Sequence, residues 1–237
     1  NSNDLLRTIK DQYPDARDIS QVTQILAPLQ AYDIEGGKDY EKIESARLLS
    51  SNEYTLNSNL GYISIKSALN ADEVLAVAYE YTYHGQVYQV GEFSGDITET
   101  DKALYVKMLK GTTVNPRLPM WDLMMKNVYN LGGYQIQKEK FKFNIKYLSD
   151  TTGTKINYLP IPGLNDKSLL QVMNLDRLDS QQDSNPDGFF DFVEGYTILS
   201  ATGKVIFPVV EPFGSHLESV ITDPVQREHY CYPQLYD

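Results

Sequence analysis

Residues 73–93 read EVLAVAYEYTYHGQVYQVGEF, an alternation of apolar and polar side chains interrupted at His84-Gly85. Such a pattern leaves the chain few options here. A two-residue turn between twisted strands needs positive φ at both central positions, which glycine adopts freely and histidine tolerates better than most side chains. A turn at His84-Gly85 sets Tyr81 opposite Tyr88 and Tyr79 opposite Val90, with Val77 further along the same face. Glu80, Thr82 and Gln89 share the other face, so one side of the hairpin is expected to be wet. The turn accounts for His84, and a lone histidine at a hairpin tip lacks a preorganised partner for proton transfer.

The same punctuation recurs along the chain. Residues 40–49 and 61–66 alternate in strand fashion about an Asn/Ser-rich connection, 103–109 reads as a strand, and 141–147 pairs with 155–159 about Asp150-Thr151-Thr152-Gly153. A third hairpin, 196–208, turns at Ala201-Thr202-Gly203, with Pro208 placing its second strand at an edge or at the sheet end. Helical signals are fewer. Residues 4–12 and 18–26 have helix-like apolar spacing, the second with Asp18 or Ser20 as N-cap, punctuated by Pro14, Pro28 and Gly36-Gly37. Residues 119–131 read as the strongest helix: Pro119 suits a first turn, Trp121, Met124, Met125, Val128 and Leu131 share a face, and Gly132-Gly133 suits a stop. Residues 169–175 fit a buried strand or a short helix equally well. The fold expected is mainly β, an antiparallel β-sandwich-like domain built from hairpins with a few short helices. Its expected organisation is a helical and linker extension over 1–38, a β-rich domain over 39–220 and a polar tail over 221–237.

Charge narrows the partners. Against 21 Lys+Arg stand 32 Asp+Glu, a net charge of −11, which opposes long-range attraction to nucleic acid or an anionic membrane surface. No apolar run approaches the roughly 20 residues of a membrane helix. The first residues, Asn-Ser-Asn, suggest a processed or excised piece. The single Cys231 excludes an internal disulfide and leaves too few thiols for a zinc or iron–sulfur site. The 18 tyrosines have two readings, half-buried strands or a face that recognises sugars or proteins.

One spacing has a specific chemistry. In residues 183–194, DSNPDGFFDFVE, hard oxygen ligands fall at alternate positions ahead of a glycine, and a glutamate follows six residues after it. Asp183, Asn185 and Asp187, the Phe189 carbonyl, Asp191 or a water in its place, and a bidentate Glu194 form a calcium loop in this reading. Pro186 within the loop and a strand-like exit at 195–199 depart from an EF-hand proper. The alternatives are an Asp/Asn/Pro/Gly turn, or a strand that sends Asp191 and Glu194 to opposite faces. Catalytic motifs are absent from the sequence: no Gly-x-Ser-x-Gly elbow, no phosphate-cradling glycine loop, no paired-histidine metal motif. Ser215-His216 are chain neighbours and point apart in an extended chain. No enzymatic activity is expected.

The segments VAYEYTYHGQVYQVGEFSGD (77–96), LKGTTVNPRLPMWDLMMKNVYNLGGYQIQKEKFKFNIKYLSDTTGT (109–154), LLQVMNLDRLDSQQDSNPDGFFDFVEGYTILSATGKVIFPVVEPFGSHL (169–217) and QLYD (234–237) resemble the SprA family, also called Sov. The resemblance implies an extramembrane domain of the outer-membrane translocon of the type IX secretion system, which exports folded cargo and is coupled to gliding motility. It implies a cell-envelope location on either side of the outer membrane. Implied partners are the rest of the translocon, a PorV-type outer-membrane protein, a plug protein and secreted cargo. The transmembrane part of that family is a β-barrel, whose lipid-facing strand pattern this chain lacks. The family supplies no catalytic residues to carry across. The alternative from another class is a carbohydrate-binding β-sandwich module stiffened by calcium, suggested by the tyrosine-rich hairpin and the acidic loop.

Overall fold

The computed structural model describes residues 2–28, 35–97, 99 and 102–233. Residues 29–34 of the expected extension, and the closing 234–237 that form part of the resemblance, lie outside them. The chain divides into two compact units, Asn1–Met124 and Met125–Asp237, a division that falls within the 39–220 stretch expected as one body.

The expected mainly β sandwich is not formed. Strand makes up about 19% of the structure and helix about 22%, and the strands form four two-stranded sheets and one three-stranded sheet among the described residues. A sandwich needs two apolar sheet faces pressed together. Here the strands run two to five residues and pair into sheets of two or three, too short and too narrow to form two such faces.

In the first unit, α1 (Ser2–Gln12) leads through a 3-10 turn at Pro14–Arg17 to α2 (Val22–Leu26). Asp18 does not cap α2; its carboxylate accepts from the Ser20 amide and hydroxyl and the Gln21 side chain, and the helix starts after Gln21. β1 (Tyr54–Asn57) pairs antiparallel with β2 (Tyr62–Ile65), so the first hairpin lies C-terminal to its expected place and residues 40–49 form no strand. β3 (Leu75–Val77), β4 (Tyr79–Tyr83), β5 (Gln86–Val90) and β6 (Lys107–Lys110) follow. β4 and β5 pair in the expected register, Tyr81 opposite Tyr88 and Tyr79 opposite Val90, across a turn with φ of 48° at His84 and 75° at Gly85. β3 leaves that hairpin to pair with β6. Lys110 closes the turn before β3: its ammonium donates to the carbonyls of Asn70, Ala71 and Glu73 at 3.3, 3.2 and 2.6 Å, and to that of Gly111 at 3.0 Å.

The unit has little oil in it. Ile9, Ala16 and Leu26 are its fully buried apolar residues among those described, with Tyr13, Tyr40 and Tyr105 against them. One link from the helical segment to the stretch after β5 is Glu92, whose side chain is 9% exposed. It accepts from Arg17 Nη2 and Nη1 at 2.5 and 2.9 Å, from Lys10 Nζ at 2.7 Å and from the Tyr105 amide at 2.9 Å. The Arg17 guanidinium also lies 4.6 Å from the Tyr105 ring centre.

The helix expected over 119–131 is not formed. Pro119–Leu123 makes a 3-10 turn and Met124 is extended. Of the anticipated stripe, Met124 and Met125 are exposed, Trp121 and Val128 are partly buried, and Leu131 packs on the core of the second unit, so the five do not share one helical face. Val128, Tyr129 and Asn130 are poor helix formers and instead make β7 (Val128–Asn130).

The second unit continues with β8 (Tyr147–Leu148), β9 (Lys155–Ile156), α3 (Leu169–Val172), β10 (Ile198–Leu199), β11 (Lys204–Ile206), α4 (Leu217–Val220) and α5 (Pro224–Tyr230). The ambiguous 169–175 stretch is helical at its start because the Ser168 hydroxyl caps it, accepting from the Gln171 amide at 3.2 Å. β11 is the middle strand of the order β10-β11-β7; Phe207 still donates to Asn127, and Pro208 stands beyond that last bond, at the sheet end. The polar tail expected over 221–237 contains α5, which Asp223 caps. Leu170, Met173, Leu175, Val205, Phe207 and Ile221 are almost wholly buried in the core of this unit. Among the described residues no helix is long and apolar enough to cross a membrane.

Candidate functional site

The acidic loop is organised by a residue that its spacing did not single out. Asp176 follows the core residue Leu175 directly and is 1% exposed. Its carboxylate accepts from the Asp187 amide at 3.0 Å and the Gly188 amide at 3.1 Å, holding the bend that Gly188 makes at φ 87°. A charged acceptor buried beside apolar neighbours is tolerated because two main-chain donors replace its water.

The residues of the calcium pattern take separate tasks. Asp187 accepts from the Phe189 amide at 3.0 Å. Asp191 accepts from the Arg177 amide at 2.7 Å and the Leu178 amide at 3.2 Å. Both carboxylate oxygens of Glu194 lie 3.1 Å from the Ser200 amide, across the β10 turn. The Asp183 carbonyl accepts from the amides of Asp179 and Asn185, and the Phe189 side chain is exposed. Asp176, Asp187 and Asp191 do come together: burial raises the Asp191 pKa, the two amides oppose that, and the neighbouring charges of Asp176 and Asp187 raise it further. Calcium needs six to eight oxygens at roughly 2.3–2.6 Å around one point. In this loop the carboxylates of Asp187, Asp191 and Glu194 are committed to amides in three places, and a cation would compete with those amides. The described residues contain no cluster of three or more His, Cys, Asp or Glu side chains placed for a metal.

Two measurements follow from this geometry. Asp176→Ala removes a charged acceptor from two buried amides and is expected to lower the stability of the second unit by about 2–3 kcal/mol in urea titration, with Asp176→Asn losing less. Calorimetry with Ca²⁺ on the chain and on an Asp187→Ala, Glu194→Ala variant tests the calcium reading: heat lost only in the variant would mean that calcium captures the loop, and matching null traces would remove that reading.

Thr197, also 1% exposed, ties the far end: its hydroxyl bonds the Asp191 carbonyl, and it accepts from the Val193 amide at 3.0 Å. Between Arg177, Leu178, Asp191 and Tyr196 lies a cleft of about 210 Å³, below the roughly 300 Å³ at which pockets for drug-sized ligands begin.

The histidines are placed structurally. His84 makes the turn. His216 Nε2 lies 2.7 Å from the Val172 carbonyl, which can only accept, so that nitrogen carries the proton. His229 lies 3.5 Å from Asp150, both exposed. Ser215 donates to Glu211 at 2.7 Å and has no histidine beside its hydroxyl.

The tyrosine hairpin is the remaining candidate, and it differs from expectation. Nine of the ten residues in β4 and β5 are exposed, so neither face is covered. Tyr81 and Tyr88 stack with ring centres 5.2 Å apart, and Tyr79 and Tyr83 extend the same aromatic row into solvent. Large exposed apolar patches mark interaction surfaces.

No family model matches the chain, and no curated protein is significantly similar to it.

Proposed function

We propose that this chain is a non-catalytic structural and interaction domain of a SprA-like outer-membrane translocon, supporting export of folded cargo. The observation that carries the reading is the first unit's construction. Among the described residues only three apolar ones are fully buried in it, all in its helical segment, while nine of the ten residues of β4 and β5 are exposed. Isolated two-stranded hairpins are marginal in water, so surfaces built this way call for cover from other parts of a larger assembly. The resemblance to that family over 77–96, 109–154 and 169–217 is what suggests which assembly. PorV-type and plug proteins, cargo and neighbouring translocon segments are the proposed partners, in the cell envelope.

Deleting this domain from the intact translocon is expected to reduce cargo secretion and the recovery of PorV-type and plug proteins in pull-downs. Normal secretion together with normal recovery would overturn the proposal.

A second reading, a carbohydrate-binding module, is favoured by the solvent-facing Tyr81–Tyr88 stack, since sugar rings pack on such faces. A flat glycan-array response, unchanged by Tyr81→Ala, removes it.

A further inference from the structure

On a chain with a net charge of −11, residues 138–146 (KEKFKFNIK) carry four lysines and one acid. From residue 140 to 146 exposure alternates without a break: Lys140, Lys142, Asn144 and Lys146 are exposed, while Phe141, Phe143 and Ile145 are partly buried. Phe143, Ile145 and Tyr147 pack on the core of the second unit, and Phe143 meets Phe190 edge-on at 5.2 Å. The segment is therefore a strand in side-chain pattern, fixed from beneath by aromatic packing.

It lacks a strand's hydrogen bonds. β8 pairs with β9 for two residues, and residues 142–146, which lead into β8, have no main-chain hydrogen bond to any described residue. The Ser149 amide donates to Thr154 beyond β9, so N–H groups at odd positions point toward that neighbour. By the alternation of an antiparallel ladder, the N–H and C=O groups of Lys142, Asn144 and Lys146 point to the opposite edge. The open edge thus carries two exposed lysines, Lys142 and Lys146, with the exposed Asn144 between them. No ion pair engages Lys138, Lys140, Lys142 or Lys146 among the described residues.

We propose that residues 142–146 form a docking strand that binds an extended acidic peptide by adding it to this edge. Main-chain bonds from Lys142, Asn144 and Lys146 would supply the ladder, and Lys140, Lys142 and Lys146, all at even positions on one face, would meet carboxylates set at every second residue of the peptide. Lysines on an edge also guard against aggregation, because a second copy would bring lysine against lysine. That repulsion excludes self-pairing and selects an acidic partner. Because aromatic packing already fixes the strand, little ordering is left for binding to oppose.

The proposal rests on reading the chain as an interaction domain, and its test is separate. Fluorescence anisotropy of the whole chain would use three labelled octapeptides: alternating Glu and Val, alternating Lys and Val, and the acidic one interrupted by proline. Binding is expected for the first alone, weakening as salt rises and falling at least tenfold in Lys142→Glu/Lys146→Glu. Asn144→Pro removes an outward N–H that bonds no described residue, and is expected to abolish binding with the melting temperature unchanged. Equal binding of both acidic peptides would reduce the site to charge attraction and overturn strand addition. No binding of any peptide would leave an edge guarded only against aggregation and overturn the docking strand, while the interaction-domain reading would still stand or fall on secretion and partner recovery.

Discussion

Arg17→Met is expected to unfold the first unit, or to bring it to the edge of unfolding, at neutral pH. The substitution strands the Glu92 carboxylate, 9% exposed, with Lys10 as its sole cation, and breaking a buried ion pair from one side costs about 3–5 kcal/mol. The three apolar residues fully buried among those described cannot offset such a loss, since whole domains hold only about 5–15 kcal/mol. Trp121, the chain's single tryptophan, lies in this unit and reports its state. The double variant Arg17→Met/Glu92→Met is expected to recover much of the lost stability because no buried charge remains; recovery no better than the single variant would show that Arg17 acts through its stack on Tyr105 instead.

Acid should reproduce the effect. Burial alone would raise the Glu92 pKa, but the hydrogen bonds from Arg17, Lys10 and the Tyr105 amide outweigh it and hold the value at about 2, against an ordinary 4.5. A depressed acid stabilises the fold above its unfolded pKa and loses that contribution as pH falls toward the folded value. The difference is worth about 3 kcal/mol, so Trp121 fluorescence is expected to show a transition between about pH 4.5 and 2 that Glu92→Gln removes. Asp191 in the second unit has a raised pKa, hence the opposite sign: its contribution is present at low pH and lost as pH rises.

Gly203→Ala is the expected severe lesion of the second unit. A Cβ at this position would stand 1.7 Å from the Gly133 carbonyl oxygen and 2.6 Å from its carbon, both main-chain atoms that no rotamer change can move. The turn's φ of 61° adds strain of about 1–2 kcal/mol. Relief requires separating residues 131–136 from the 200–203 turn, which breaks the bonds from Leu131 to Gly203, Gln135 to Ala201 and Ile136 to Ser200. At about 1 kcal/mol each, the total comes to about 4 kcal/mol or more. Hydrogen exchange at those three amides should rise with the drop in melting temperature; a variant that melts like the parent would mean the two segments separate freely.

Local signals were legible where they answered to local physics. His84-Gly85 set a turn and a five-pair register, Ala201-Thr202-Gly203 set another, and the 4–12 helix followed from its spacing. Longer inferences failed where the outcome depended on what an element would pack against. Residues 119–131 have helical periodicity, but Val128 to Asn130 found a strand partner in residues 204–206, far along the chain. The sandwich failed for the same reason, since alternation shows that a strand has two faces but not that a second sheet covers either. In the candidate site, the acidic spacing located the loop, while its organiser, Asp176, resembled any other acid in an acidic chain. Only its place beside the buried Leu175 could have hinted that it was buried too.

The four carbonyls around Lys110 form the kind of oxygen nest that other proteins fill from solution. Here the cation is tethered to the chain and arrives with the fold itself. Chelators cannot strip it, and the supply of ions in the surroundings does not set its occupancy. Chemistry on the amine, such as acylation, would take its charge away.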